Sequence, residues 1–292
     1  DWIVQRTMYA NLLRASGQEQ QALAEFREIA SFASGDFAQR SAPDLLHIGA
    51  ACVETGRADD GVKVMRAAAS SAPDSSSVWF WLGRAEAESG QVEQAIAHVR
   101  KAIDLAPEDA SVALWFAEFS LEHSDETAVE AVDHLLQLRP DMVAQRVSLI
   151  KHLQGQGEVD ELRRQQQMLA AWGSGNGWRA LSTEEKLFLG AACIDTGRPD
   201  EALPVLEDVV QEAPKLAHHR LWLARAHEAT GNAGSARREY EAAGALAPHD
   251  ENVVSALVDA RSAQGQTDGA ILAIEELLTG DPGNLRMRTR LY

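Results

Sequence analysis

SSVWFWLGRAEAESGQVEQAIAHVRKAIDLAPED, residues 76–109, is the stretch of sequence that decides the fold. Apolar side chains recur at helical spacing on both sides of Gly90, which predicts two helices joined by a tight turn. Gly83 and Ala95 are small where two antiparallel helices must approach closely, and Pro107 ends the second helix. One such hairpin cannot bury its apolar face alone, so neighbouring copies must stack on it.

The same unit recurs along nearly the whole chain. Prolines close successive units at a constant interval, at Pro73 and Pro107 and again at Pro214, Pro248 and Pro282. Pro140 closes a slightly shorter unit, and Gly17 and Gly157 mark the turns of two more divergent units. This pattern resembles the tetratricopeptide repeat, whose length is about 34 residues. The resemblance implies an all-α fold, a right-handed superhelical solenoid of eight helix–turn–helix repeats.

The repeats fall into two blocks. We place them at residues 3–36, 42–75, 76–109, 110–142, 143–176, 183–216, 217–250 and 251–284. Segment 48–57 closely matches segment 189–198, and longer linkers follow the first and fifth repeats. We interpret residues 3–142 and 143–284 as a duplicated block of four repeats; the alternative is similarity imposed by the repeat pattern itself. Residues 285–292 read as the start of a further helix that is cut short.

Composition and charge narrow the classes of function. The chain has 292 residues, is 45% hydrophobic and carries a formal net charge of −17, so we expect no nucleic-acid partner. No apolar run approaches the roughly 18 residues of a membrane span. We therefore expect a soluble chain without membrane insertion, cytoplasmic or periplasmic, with a cleaved signal or an upstream anchor left open. Cys52 and Cys193 occupy the same inward position in distant repeats, and we interpret them as small core residues rather than as a disulfide, reactive thiols or metal ligands.

No motif for catalysis, metal binding or cofactor binding is present. The sequence lacks His-Glu-x-x-His, a phosphate loop ending in Gly-Lys-Ser/Thr, and Cys-x-x-Cys. GSGNG at residues 173–177 has no preceding strand, so we interpret it as a flexible joint between the blocks rather than a nucleotide loop. His218 and His219 open a helix, where we expect a solvated helix start rather than a metal site. We therefore predict no enzymatic activity, no metal and no cofactor.

The resemblance also implies a binding groove, lined by the first helix of each repeat. Carried onto this sequence, the fifth and sixth positions of that helix are Phe80 and Trp81, Leu114 and Trp115, Leu187 and Phe188, and Leu221 and Trp222. The ninth positions are Asn11, Arg84, Glu118, Lys151, Arg225 and Asp259. Large rings rimmed by charges are typical of a binding surface. The alternative is that the rings only fill the gap between adjacent first helices.

The predicted duplication makes the prediction of a groove more specific. Arg84 follows Phe80 and Trp81, and Arg225 occupies the corresponding place in the second block, so we predict two equivalent half-sites. The lysine and asparagine pattern with which some family members bind the C-terminal carboxylate of chaperones is not matched, because only Asn11 fits it.

Three functions remain open at this point. A non-catalytic scaffold that binds a partner peptide or helix in the aromatic-lined groove fits the pattern best. The alternative is the repeat region of a bacterial envelope-assembly or exopolysaccharide-export protein, in which the rings stack on sugars. A third hypothesis is self-association through apolar ends that lack capping helices. These ends carry Trp2, Ile3, Tyr9 and Leu12 at the start and Leu285, Met287 and Leu291 at the finish, and together with the alanine-rich repeats they suggest a fragment of a longer bacterial protein.

Overall fold

The computed structural model describes residues 2–123, 126–175, 177–263 and 265–290. Within these ranges the chain consists of helices and turns with no strand, which confirms the predicted all-α repeat solenoid. The contacts divide the chain into two compact units, Asp1–Met142 and Val143–Tyr292, called unit 1 and unit 2 below. No helix in the described ranges is long and apolar enough to cross a membrane.

The described part of unit 1 contains eight α-helices arranged as four hairpins. They are α1 (Trp2–Ala15), α2 (Glu19–Ala30), α3 (Ala42–Glu54), α4 (Ala58–Ser71), α5 (Ser76–Glu88), α6 (Val92–Leu105), α7 (Ala110–Glu122) and α8 (Ala128–Leu138). A short 3₁₀ turn, Ser31–Ser34, follows α2.

The described part of unit 2 contains nine α-helices. They are α9 (Val143–Gln156), α10 (Val159–Gly175), α11 (Thr183–Asp195), α12 (Pro199–Glu212), α13 (Ala217–Ala229), α14 (Ala233–Leu246), α15 (Glu251–Ala263), α16 (Thr267–Gly280) and α17 (Leu285–Thr289). A 3₁₀ turn, Trp178–Ala180, precedes α11. Each predicted repeat therefore contains one pair of helices. The duplication of a four-repeat block stays a prediction.

Glycine provides the turn within a hairpin and the close approach of its two helices. Gly90 has φ +75°, a left-handed conformation that residues with a Cβ rarely adopt. A Cβ added at Gly83 would lie 2.5 Å from Cγ2 of Val99 and 3.0 Å from the carbonyl oxygen of Ala95. The absence of a side chain at residue 83 therefore lets α5 lie directly against the backbone of α6, as the sequence predicts.

The core of each unit consists of apolar side chains between stacked hairpins. Ile48, Met65 and Leu82 are completely or almost completely buried in unit 1. Cys52 and Cys193 are buried free thiols, and burial raises the pKa of each to about 11. Both thiols are therefore protonated and unreactive at neutral pH.

The segment after repeat 5 differs from the prediction. We expected a flexible joint at residues 173–177, but α10 continues to Gly175. The helix continues because Gly173 lets it pack on α11, where an added Cβ would lie 2.5 Å from Cδ1 of Leu189. This segment lies inside unit 2, so its interpretation as a joint between the blocks is wrong; Asn176 lies outside the described residues.

The apolar residues predicted at the two ends have different environments. Trp2, Tyr9 and Leu12 of α1 are exposed, by 48%, 51% and 68%. Met287 of α17 is completely buried in the core of unit 2, so it is not part of an exposed apolar face. Leu291 lies outside the described residues.

Candidate functional site

The candidate site is a cavity of about 260 Å³ in unit 2. The first helices of three successive repeats, α9, α11 and α13, supply most of its walls, and α10 supplies one residue. The apolar lining residues are Ile150, Leu187, Phe188, Ala191 and Trp222, and the polar ones are Gln154, Gln166, Asp195 and His218. The structure thus brings together Leu187, Phe188 and Trp222, which the sequence predicts as groove residues.

Phe188 forms part of the apolar wall. Its ring and the side chain of Leu187 are half-buried. The ammonium group of Lys151, another predicted groove residue, lies 5.2 Å from the centroid of the Phe188 ring. Lys151 also forms an ion pair with Glu184, so its charge is balanced within unit 2.

Trp222 is held in place by its own helix. Its indole nitrogen lies 3.0 Å from Nε2 of His218, one turn earlier in α13. An indole N–H can only donate, so Nε2 accepts and the imidazole is neutral, with its proton on Nδ1. Partial desolvation, and secondarily the charge of Arg225, lowers the pKa of His218, which agrees with this neutral form.

Arg225 lies over the same indole ring. Its Cζ atom is 4.8 Å from the ring centroid of Trp222. The guanidinium forms no hydrogen bond or ion pair with the residues that the structure describes. Arg225 also borders a second cavity of unit 2, of about 460 Å³, which is lined by His218, Leu221, Asn252, Ser255, Ala256, Asp259 and Arg286. Arg225 thus lines the polar cavity and lies over Trp222, a wall residue of the apolar cavity, while His218 lines both cavities.

Asp195 is the acid of the apolar cavity. Its Oδ2 accepts a hydrogen bond from Nε2 of Gln166 at 2.7 Å. Partial desolvation raises the pKa of Asp195, and the hydrogen bond from Gln166 and the charge of Arg225 oppose that shift. The amide of Gln166, rather than the nearby arginine, is thus the direct partner of this carboxylate.

Two residues of unit 2 that the sequence predicts for the groove, Leu221 and Asp259, do not line the apolar cavity. Leu221 is only 1% exposed and packs in the core with Ala224 and Val254, and it lines the second cavity rather than the first, so its role as a groove contact stays a prediction. Asp259 is exposed and forms an ion pair with Arg290, which follows α17.

In unit 1 the predicted rings contact one another. The centroid of Phe80 lies 5.9 Å from that of Trp81 and 5.8 Å from that of Trp115 on α7. Trp115 stacks on Phe119 with 4.8 Å between centroids. The contact of Phe80 with Trp115 joins adjacent first helices, which fits the alternative that the sequence left open, and a role of these rings in binding stays a prediction. Of the other predicted residues here, Leu114 is half-buried, and Asn11 and Glu118 are exposed.

Arg84 lies over a tryptophan ring as Arg225 does, but the two arginines differ in whether they form an ion pair. Its Cζ atom lies 4.5 Å from the ring centroid of Trp81. It forms an ion pair with a carboxylate, with 3.7 Å between its Nη1 and Oε1 of Glu54, whereas Arg225 forms none with the described residues. Glu54 also binds Arg14, at 2.8 Å. The two places predicted as equivalent half-sites therefore share a guanidinium over an indole and differ in whether that guanidinium is paired.

Sequence reasoning missed the polar residues of the cavity. Asp195 had a signal, because it occupies the place of Glu54 in the matched segments 48–57 and 189–198. The prediction of a solvated helix start fits His218, which is exposed, but is wrong for His219, which is only 8% exposed. Gln166 had no signal, because it lies on a second helix.

Across residues 2–123, 126–175, 177–263 and 265–290, no three His, Cys, Asp or Glu side chains are grouped so that they could hold a metal ion.

Comparison with known proteins identifies the repeat type. Two family models described as tetratricopeptide repeat match residues 51–110 and 194–260. The search of curated proteins gives no significant match to the sequence.

Many solved structures are similar to the chain at low identity. One is Naa15/Naa10 bound to HypK-THB, with 13% identity, a TM-score of 0.54, and coverage of 99% of this chain and 43% of that chain. Another is the C-terminal part of a TPR repeat-containing protein from Cytophaga hutchinsonii, with 16% identity, a TM-score of 0.38, and coverage of 98% and 99%. A third is the type IV pilus biogenesis factor PilW, with 17% identity, a TM-score of 0.48, and coverage of 74% and 98%. At these identities the similarity concerns the fold alone.

Proposed function

The chain belongs to the tetratricopeptide-repeat family, and from this premise we propose that it is a non-catalytic adaptor that binds a segment of a partner protein at the unit 2 cavity. Tetratricopeptide repeats are in general scaffolds for protein–protein interaction. The observation that carries the proposal is the cavity between α9, α11 and α13, where Phe188 and Trp222 form apolar walls beside polar side chains.

The apolar part of the cavity suits one large side chain of the partner. Binding energy at protein interfaces is concentrated in a few aromatic or aliphatic anchors that fill desolvated pockets. A cavity of about 260 Å³ lined by Ile150, Leu187 and Phe188 can take one such anchor. The anchor would contact half-buried rings that already lie in fixed positions, so little ordering of the site is needed on binding.

The polar part of the cavity suits the backbone of the partner. Every non-proline residue of a peptide offers one N–H donor and one carbonyl acceptor. The carboxamide of Gln154 can donate and accept, and the free Nδ1–H of His218 can donate to a carbonyl. An extended segment that places an anchor in the cavity would therefore find partners for its main chain.

The sugar-binding alternative fits this site less well. Sugars stack on open ring faces, and here Arg225 lies over Trp222 while Lys151 lies over Phe188. In unit 1, Trp115 is already stacked on Phe119. One face of each of these rings is therefore already covered by a cation or by another ring, which leaves less ring surface for a sugar.

Peptide selection tests the proposal. A library of short random segments, displayed within a coat protein so that neither end is free, is selected on the whole chain. We expect enrichment of segments with a large apolar residue, and a purified segment should bind at least about 10-fold more weakly to Phe188→Ala. Trp178→Ala is the matched control, because Trp178 is a half-buried ring of unit 2 that does not line the cavity.

Three results would contradict the proposal. One is that the chain enriches no segment. Another is that Phe188→Ala and Trp178→Ala bind the selected segment as tightly as the parent does. A glycan that binds through Phe188 and Trp222, when no segment is selected, would support the sugar alternative instead.

A further inference from the structure

The guanidinium of Arg225 lies over Trp222, a wall of the candidate site, and forms no ion pair with the residues that the structure describes. Its guanidinium has five N–H donors, and none of them binds a residue that the structure describes. The nearest acid of the apolar cavity, Asp195, accepts from Gln166 instead. The matching residue of unit 1, Arg84, approaches Glu54 at 3.7 Å. The donors of Arg225 are therefore available to a ligand in a way that those of Arg84 are not.

The position of Arg225 is defined by the ring beneath it. The Cζ atom of Arg225 is 4.8 Å from the ring centroid of Trp222, and a guanidinium is more weakly hydrated than an ammonium group. A carboxylate that binds it displaces little water and gains a charge-assisted, bidentate hydrogen bond. Asn252 lines the polar cavity beside it and offers an amide that can also donate to that carboxylate.

We propose that Arg225 selects partner segments that carry an aspartate or glutamate side chain two residues from the apolar anchor. The proposal rests on the proposed function, because it specifies the chemistry of the segment bound at the unit 2 cavity. In an extended chain, side chains two residues apart point to the same side and lie roughly 7 Å apart. An anchor beside Trp222 thus places the second side chain over Arg225, on the same helix.

The partner carboxylate that we propose for Arg225 belongs to an aspartate or glutamate side chain and not to the C-terminus of the partner. The polar cavity continues from Arg225 along α15, where Ser255 and Asp259 line it, and reaches Arg286 of α17. A segment that fills the apolar cavity and passes over Arg225 therefore has further surface to contact, and its chain runs on beyond the acid.

The chain has a formal net charge of −17, but this charge does not prevent Arg225 from binding a partner carboxylate at contact distance. Charges farther away than the Debye length, about 8 Å at physiological ionic strength, are largely screened. The carboxylate of Asp195, at the apolar cavity, accepts a hydrogen bond from Gln166, and that of Asp259, at the polar cavity, is paired with Arg290. The acidic surface would slow the encounter with an acidic segment, whereas the contact with Arg225 would slow its release.

A thermodynamic cycle on a selected segment tests the inference. The segment is synthesised with an acetylated N-terminus and an amidated C-terminus, in a glutamate form and a glutamine form at the position two residues from the anchor. We expect the parent to bind the glutamate form about 10-fold more tightly, and we expect Arg225→Gln to bind both forms equally. Arg84→Gln should keep the preference for glutamate. Circular dichroism of each variant checks that the helices are intact.

The results separate this inference from the proposed function. Apolar segments selected without an acid near the anchor would overturn the inference and leave the proposed function standing. The same holds if Arg225→Gln keeps the preference for glutamate. If no segment is selected at all, the proposed function itself fails.

Discussion

The indole nitrogen of Trp222 donates a hydrogen bond to Nε2 of His218 across 3.0 Å. The two residues are one turn apart on α13, and Arg225 follows on the same face of the helix and lies over the indole ring. The ring is therefore held by an imidazole at its nitrogen and covered by a guanidinium. One helix thus supplies an apolar wall, a neutral donor and a cation to the candidate site.

Replacing Trp222 by alanine should weaken the binding of a selected segment by about 2–4 kcal/mol, because the variant loses a wall of the cavity and the support of Arg225. Trp222→Phe should weaken binding less, because phenylalanine keeps a ring but cannot donate to His218. Isothermal titration with one synthetic segment measures both changes.

The matching residue of unit 1 tests whether there are two equivalent half-sites. Trp81→Ala should weaken binding as much as Trp222→Ala if unit 1 also holds the segment. A loss confined to Trp222→Ala would show one site, in agreement with the pairing of Arg84 to Glu54. Trp178→Ala serves as the control, and a loss there equal to that of Trp222→Ala would contradict the assignment of the cavity.

Acidification below about pH 6.5 should destabilise unit 2 through His218, because its imidazole titrates near 6.5 in the unfolded chain. Partial desolvation lowers the pKa of His218 in the folded chain. The unfolded chain therefore binds more protons as the pH falls through the unfolded pKa toward the folded pKa, and stability falls with it. Asp250, which lies before α15, attracts the protonated imidazole, but desolvation and Arg225 outweigh it.

Urea unfolding at pH 7.5 and pH 5.5 measures this effect. His218→Gln supplies a side-chain oxygen that can accept from Trp222 without titrating, so its loss of stability between the two pH values should be smaller than that of the parent. His219, whose pKa is also lowered by burial, keeps part of the dependence in both proteins. Equal losses in the parent and in His218→Gln would rule out a contribution from His218.

The local features of the fold were predictable because they depend on residues close in sequence. Gly90 at the turn and Pro107 after the second helix fix one hairpin. The regular repeat of that hairpin along the sequence then places every other one. Phe188 and Trp222 were predicted at the groove for the same reason, since the repeat defines which face of a first helix they occupy.

The partners of the site residues were not predictable, because they depend on distances between helices and on side-chain rotamers. Gln166 and Asp195 meet although they lie on different helices of different repeats. Leu221 is buried although its neighbour Trp222 lines the cavity, because the two point to different sides of α13. Whether a guanidinium is paired, as for Arg84, or has no ion pair among the described residues, as for Arg225, likewise depends on which acid reaches it.

Cys52 and Cys193 should not react with a thiol reagent in the folded chain. Burial raises the pKa of each thiol to about 11, so at pH 8 roughly one molecule in a thousand carries the thiolate, and the sulfur atoms are also inaccessible. The measurement is the absorbance released from an aromatic disulfide reagent. We expect almost none over minutes from the folded chain, and two equivalents in guanidinium chloride. Rapid release of one or two equivalents from the folded chain would show that these cysteines are not core residues.

Gly83→Ala should destabilise unit 1 by about 1–3 kcal/mol, because the new methyl group would overlap both a side chain and the backbone of α6. The added Cβ would lie 2.5 Å from Cγ2 of Val99, which repacking can relieve, and 3.0 Å from the carbonyl oxygen of Ala95, which only a shift of α6 can relieve. Gly155→Ala is the matched control, because nothing lies within 4 Å of a Cβ there. In α9 that change should stabilise unit 2 by up to about 1 kcal/mol through helix propensity.

Thermal unfolding followed by circular dichroism measures both changes. Adding Val99→Ala to Gly83→Ala should cost less than the sum of the two single changes, because the smaller side chain removes one of the two overlaps and leaves the other. If Gly83→Ala is as stable as the parent, α5 and α6 do not touch at this point, and the requirement for a small residue at position 83 disappears.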